Sequence, residues 1–109
     1  MLTAEFEQIT RRIVDKLRSD YFPQKIILFG SCLSGSPHPD SDIDLLIVKE
    51  TNDRFIDRWV TVRRILSDPS RKVAIETLVL TPQEVSDRLA CGDEFLADII
   101  QKGKVLYAA

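Results

Sequence analysis

The sequence predicts an α/β (α+β) fold: a small mixed β-sheet with helices packed on one face and acidic side chains on the other. Three observations predict it. Two apolar runs, Ile26–Phe29 and the stretch through Val48, have the length and continuity of interior strands bounded by turn residues. Helical spacing of apolar residues precedes them and resumes from Asp53, so helices and strands intermingle along the chain. The strict alternation and the glycine fingerprint of a doubly wound sheet are both missing.

The elements follow in order. Residues 3–19 form a helix: Thr3 can cap it, Glu5 and Glu7 suit its positive end, and Phe6, Ile9, Ile13 and Leu17 recur at helical spacing. It ends before Pro23. The first strand is Ile26–Phe29, broken by Gly30, and the segment from Cys32 to Asp40 is rich in Ser, Gly and Pro, which denies a long helix there. A second strand covers Asp42 to Val48. The helix beginning at Asp53 carries Phe55, Trp59, Val62 and Leu66 as its apolar stripe, with Arg54, Arg58, Arg63 and Arg64 largely off it, and Pro69 closes it. Val73–Leu80 is a third strand, and Glu76 is a lone acid within it. Thr81-Pro82-Gln83-Glu84 spells a capping box with proline in the first turn, opening a helix to about Ala90. A last helix, Asp93 to Lys102, is expected to bury Phe95, Leu96, Ile99 and Ile100, and Gly103 ends it before the short strand Val105-Leu106-Tyr107.

Length and composition bound the function classes. A chain of 109 residues is read as one domain, 1–109, large enough for a core but too small for a catalytic domain plus a substrate domain. A net charge of −2 gives no global attraction to nucleic acid or acidic membranes, so direct nucleic-acid binding is not expected, although Arg11-Arg12, Arg63-Arg64 and Arg71-Lys72 can form local patches. No apolar run reaches the roughly 20 residues of a membrane span, and nothing resembles a signal peptide, so no membrane partner and a cytoplasmic location are expected. Cys32 and Cys91 lack metal-type spacing and read as free thiols. His38 between two prolines reads as solvent-exposed, and Trp59 as core.

The chemistry concentrates at Asp42 and Asp44. Alternate residues of a strand share a face, so these carboxylates project together with Cα atoms ~6.5 Å apart, while Ile43, Leu45 and Ile47 face a core. Two like charges side by side in an apolar strand are costly, and a shared cation relieves them. Gly30 lets a phosphate approach the backbone closely, and Ser31 offers an N–H and a hydroxyl to its oxygens. The bland alternative is a polar strand entrance whose acids are solvated; Glu76 on an exposed edge has a similar alternative.

Gly30-Ser31, then ten residues, then Asp42-x-Asp44, with apolar strands on both sides and Ser41 before the first acid, resembles the signature of the DNA polymerase β-like nucleotidyltransferase superfamily. The resemblance implies a polymerase β-like nucleotidyltransferase fold over nearly the whole chain and gives Glu76 the place of the third carboxylate. It implies Asp42, Asp44 and Glu76 as catalytic and metal-holding residues, two Mg²⁺ ions, ATP as substrate, and Gly30, Ser31 and Ser41 as nucleotide contacts. Within the superfamily the chain looks most like the MntA-type antitoxins, which are encoded with a HEPN-domain ribonuclease toxin. That likeness implies transfer of AMP, or another nucleotidyl group, to a tyrosine of such a toxin with release of pyrophosphate, in a hetero-oligomer. Two departures stand out. Cys32, Leu33 and Ser34 occupy a segment where relatives often carry basic residues, and the third acid is Glu where many carry Asp. The first motivates an alternative, a non-catalytic antitoxin that masks its toxin by contact. A third reading, an aspartate-nucleophile phosphatase, gives Gly30-Ser31 and Glu76 no role.

Overall fold

The computed structural model describes residues 4–30, 43–71 and 73–109. Its elements are α1 (Ala4–Asp20), β1 (Lys25–Phe29), β2 (Ile43–Val48), α2 (Phe55–Ile65), β3 (Ile75–Leu80), α3 (Pro82–Ala90), α4 (Glu94–Lys102) and β4 (Lys104–Ala108). Their order and types follow the sequence reading. The four strands form one mixed sheet in the order β3-β2-β1-β4. β1 pairs antiparallel with both β2 and β4, and β2 pairs parallel with β3.

Local chemistry explains the boundaries. At α3 the Thr81 hydroxyl accepts the Glu84 N–H at 3.1 Å while the Glu84 carboxylate accepts the Thr81 N–H at 2.8 Å, a complete capping box behind Pro82. Asp93 caps α4 by accepting the Leu96 N–H at 2.9 Å. Gly103 follows the helix where a side chain would run into the Ile99 carbonyl and the Ile27 side chain.

The helices divide between the two faces of the sheet, which corrects the expectation that they share one. Ile26, Leu28, Ile43, Leu45, Ile47 and Val79 face α1 and α2, packing against Phe6, Ile13, Leu17, Val62 and Leu66. Ile27, Leu46 and Leu80 face the other way, onto Leu96 and Ile99 of α4, with Val85 of α3 alongside. β2 is apolar on both faces from Leu45 to Ile47, so water must be excluded from both, and one layer of helices cannot do that.

Four side chains depart from the expected stripes, among them Phe55 at the start of α2, which is 48% exposed. Phe95 and Ile100 of α4 are exposed, at 63% and 39%, because this short helix meets the sheet through Leu96 and Ile99. Phe95 instead leans edge-on against Phe29, centroids 6.0 Å apart. Arg58, expected on the polar side of α2, is 6% exposed. Its guanidinium is held by the Glu84 carboxylate at 2.6 Å, the Asp53 carbonyl at 2.9 Å and the Val79 carbonyl at 3.4 Å, which ties α2 to β3 and α3. Trp59 is half-buried under the Arg63 guanidinium, 4.7 Å from its ring centroid.

Candidate active site

The site is built where β1, β2 and β3 lie side by side. Asp44 is the register partner of Phe29 on one side and of Glu76 on the other. Asp44 and Glu76 alternate with residues of the α1/α2 core, so both point to the opposite face, the one on which α3 and α4 pack. Adjacent strands are roughly 4.8 Å apart, which puts two carboxylates side by side on an open stretch of sheet. Asp44 is half-buried and Glu76 exposed.

Gly30 closes the third side. Its φ is +85°, a conformation that residues with a β-carbon avoid. A β-carbon placed there would also collide with the Asp44 carboxylate, through Oδ2. Glycine is therefore required twice, by the chain's turn out of β1 and by the carboxylate beneath it. Of the residues singled out from the sequence, Gly30, Asp44 and Glu76 are brought together. Asp42, Ser31 and Ser41, together with Cys32 and His38, lie outside the described residues.

The donor set suits a hard divalent cation. Two carboxylates on neighbouring strands, with backbone stripped of side chain beside one of them, match the preference of Mg²⁺ for a few carboxylates together with water and phosphate oxygens. Among the described residues no group of three or more His, Cys, Asp or Glu is gathered closely enough to hold a metal; the described acids of the site are the pair Asp44 and Glu76.

Sequence reasoning missed two features of the surroundings. The Phe29 ring stands on the face of Asp44 as its neighbour across the β1–β2 ladder, followed by the exposed Phe95. On the β3 side a cavity of about 520 Å³ reaches Glu76 and includes Arg63 and Arg71. Neither has a signal at the level of periodicity, since each depends on which strands become neighbours.

Comparison with known proteins places the chain. The family described as "Polymerase beta, Nucleotidyltransferase" matches residues 11–109, and the chain belongs to that nucleotidyltransferase family. A structure from Sulfolobus solfataricus described as a nucleotidyltransferase is similar with a TM-score of 0.63 at 21% identity, covering 93% of this chain and 78% of that one. Two crystal structures of a toxin-antitoxin are similar as well. A mutant of MntA-HpeT gives a TM-score of 0.61 at 24% identity, covering 92% of this chain and 72% of that one. MntA-HepT gives 0.58 at 20% identity, with 94% and 73% covered. No curated protein sequence matches.

Proposed function

We propose that this chain, acting as one minimal domain, transfers AMP or another nucleotidyl group from a nucleoside triphosphate to a hydroxyl of a partner protein. The partner is a HEPN-type toxin, the acceptor one of its tyrosines, and the chain is its cytoplasmic antitoxin. The observation that carries the reading is the Gly30–Asp44–Glu76 cluster in a chain of the nucleotidyltransferase family. The toxin-antitoxin structures that share the fold support a toxin as the class of partner.

The residues divide the work by position. Gly30 bares its backbone for the triphosphate, with Ser31 and Ser41 as further polar contacts. Asp42, Asp44 and Glu76 would hold Mg²⁺, which when bound neutralises the triphosphate and the charge that develops at the α-phosphorus. Glu76, on the β3 flank, also accepts the proton of the attacking hydroxyl. A tyrosine hydroxyl, with a pKa of about 10, needs that help near neutral pH. The new bond joins the acceptor oxygen to the α-phosphorus, the bond from phosphorus to the bridging oxygen breaks, and pyrophosphate leaves.

The test is direct: the protein, Mg²⁺, ATP labelled at the α-phosphate and the product of the adjacent gene are incubated together. Label on the partner that vanishes in Asp42→Asn, Asp44→Asn and Glu76→Gln is the expected result. A partner that is neutralised but carries no label would overturn catalysis in favour of masking by contact.

A further inference from the structure

The β3 edge of the sheet carries a feature that the transfer reaction alone does not explain. Among the described residues β3 pairs on one side only, with β2. Inward and outward groups can be assigned from the hydrogen bonds. The carbonyls of Ala74 and Leu80 accept the N–H groups of Ile43 and Lys49, both at 2.9 Å, so even-numbered residues turn their backbone groups into the sheet. Odd-numbered residues turn theirs outward, and at both ends an arginine meets them. Arg71 Nε donates to the Val73 carbonyl at 3.2 Å and Arg58 Nη1 to the Val79 carbonyl at 3.4 Å. Between these caps, Ile75 and Thr77 present N–H and C=O groups to an open edge of just the length that one short strand can pair with. Beside that gap lies the cavity of about 520 Å³, lined by Arg63, Arg71 and Thr77. The Thr77 hydroxyl is buried and has no hydrogen-bond partner among the described residues.

We infer that this edge is the docking strand for the acceptor: an extended segment of the partner protein pairs with Ile75 and Thr77 and places a tyrosine opposite Glu76, between two acidic residues. This rests on the transfer reading given above. Strand addition takes affinity from the backbone bonds and specificity from alternate side chains. In an added strand the residue opposite Glu76 has its side chain on the face of Glu76 and Asp44, and the residues before and after it face α2. The central side chain must cross Glu76 to approach Asp44, which lies about two strand spacings, roughly 10 Å, from the added strand. A serine hydroxyl, one bond beyond Cβ, falls short; a tyrosine hydroxyl, a full ring further out, spans the gap. The flanking side chains enter the cavity where Arg63 and Arg71 stand. Asp68, an acid of the same cavity, accepts from the Ser70 hydroxyl and N–H at 2.7 and 2.9 Å, so acidic flanking residues suit the two guanidinium groups. The geometry also separates the substrates: Gly30 lies on the β1 flank of Asp44 and Glu76 on its β3 flank, so nucleotide and acceptor enter from opposite sides.

The probe is a ten-residue peptide with Glu-Tyr-Glu at its centre and alternating apolar residues outside, added to the isotopically labelled protein. Hydrogen exchange at the Ile75 and Thr77 amides should slow at least tenfold, with the Leu78 amide, already inside the sheet, unchanged. A peptide with Lys-Tyr-Lys at the centre should protect them far less. Thr77→Pro and Ile75→Pro each remove one outward N–H and leave the β2 ladder whole. Either should raise the acceptor KM at least tenfold at constant kcat, with fluorescent ATP analogue still bound. Absence of protection in the wild-type protein overturns the docking edge, and so does a proline variant that transfers with an unchanged KM. Protection lost on dilution without any peptide, together with a dimer in light scattering, assigns the edge to a second copy of the chain and overturns the proposal. Protection by the peptide without any label transfer retains the edge and overturns the transferase reading instead.

Discussion

Gly30→Ala tests the centre of the site, and Gly92→Ala is its internal control. The two glycines have nearly the same backbone, with φ of +85° and +83°. A side chain forced into that region costs roughly 1–2 kcal/mol, so both variants should lose about that much stability. For a domain of this size, each kcal/mol corresponds to a Tm lower by about 4–8 °C. What differs is the space: a β-carbon at Gly92 meets nothing within 4 Å, whereas at Gly30 it meets the Asp44 carboxylate and forces it away. Recovering ordinary contact requires a shift on the order of 1 Å. A displacement of that size at a reacting centre costs on the order of 10² in rate. Thermal unfolding should therefore give similar losses for the two variants, while the labelled-ATP assay should show transfer reduced about 10²-fold in Gly30→Ala alone. Equal transfer by both would refute the claim that Gly30 is kept as glycine to seat Asp44.

Four further outcomes follow from the site and its surroundings. Magnesium at a hundred times its dissociation constant should stabilise the wild-type protein by about 2.7 kcal/mol, and this shift should vanish in Asp44→Asn. Arg58→Ala should cost about 2 kcal/mol in urea unfolding, below the range for a fully buried pair because the Glu84 side chain is 37% exposed. The hydrogen bond from Arg58 holds the Glu84 carboxyl below its ordinary value of 4.5, so its stabilisation is complete above that value and is lost as pH falls through the lower folded value; Glu84→Gln should flatten the acid limb of a stability profile measured below pH 4.5. Asp93→Ala should cost about 1 kcal/mol by removing the cap of α4, with transfer unchanged.

Much of this protein is legible residue by residue. The spacing of Phe6, Ile13 and Leu17, the Thr81 and Glu84 capping box, the Asp93 cap and the stop at Gly103 are local signals, and each places an element where it is found. The alternation around Asp44 is of the same kind: with Ile43, Leu45 and Ile47 fully buried, the acid has to face away. These follow from the sequence alone because helix caps, turn residues and side-chain periods act over a few positions, where neighbours in sequence are neighbours in space.

The tertiary structure decided the rest. Asp44 and Glu76 are 32 residues apart, and only the parallel pairing of β2 with β3 makes them partners. The division of helices between two faces left Phe95 outside and took Arg58 inside, against what the helix patterns predict, because burial depends on the surface an element meets and a helix's own pattern does not reveal it. The open edge at Ile75 and Thr77 exists for the same reason. A strand's sequence sets which side chains share a face, but the contacts of the whole fold choose its neighbours and decide whether one side is left without any.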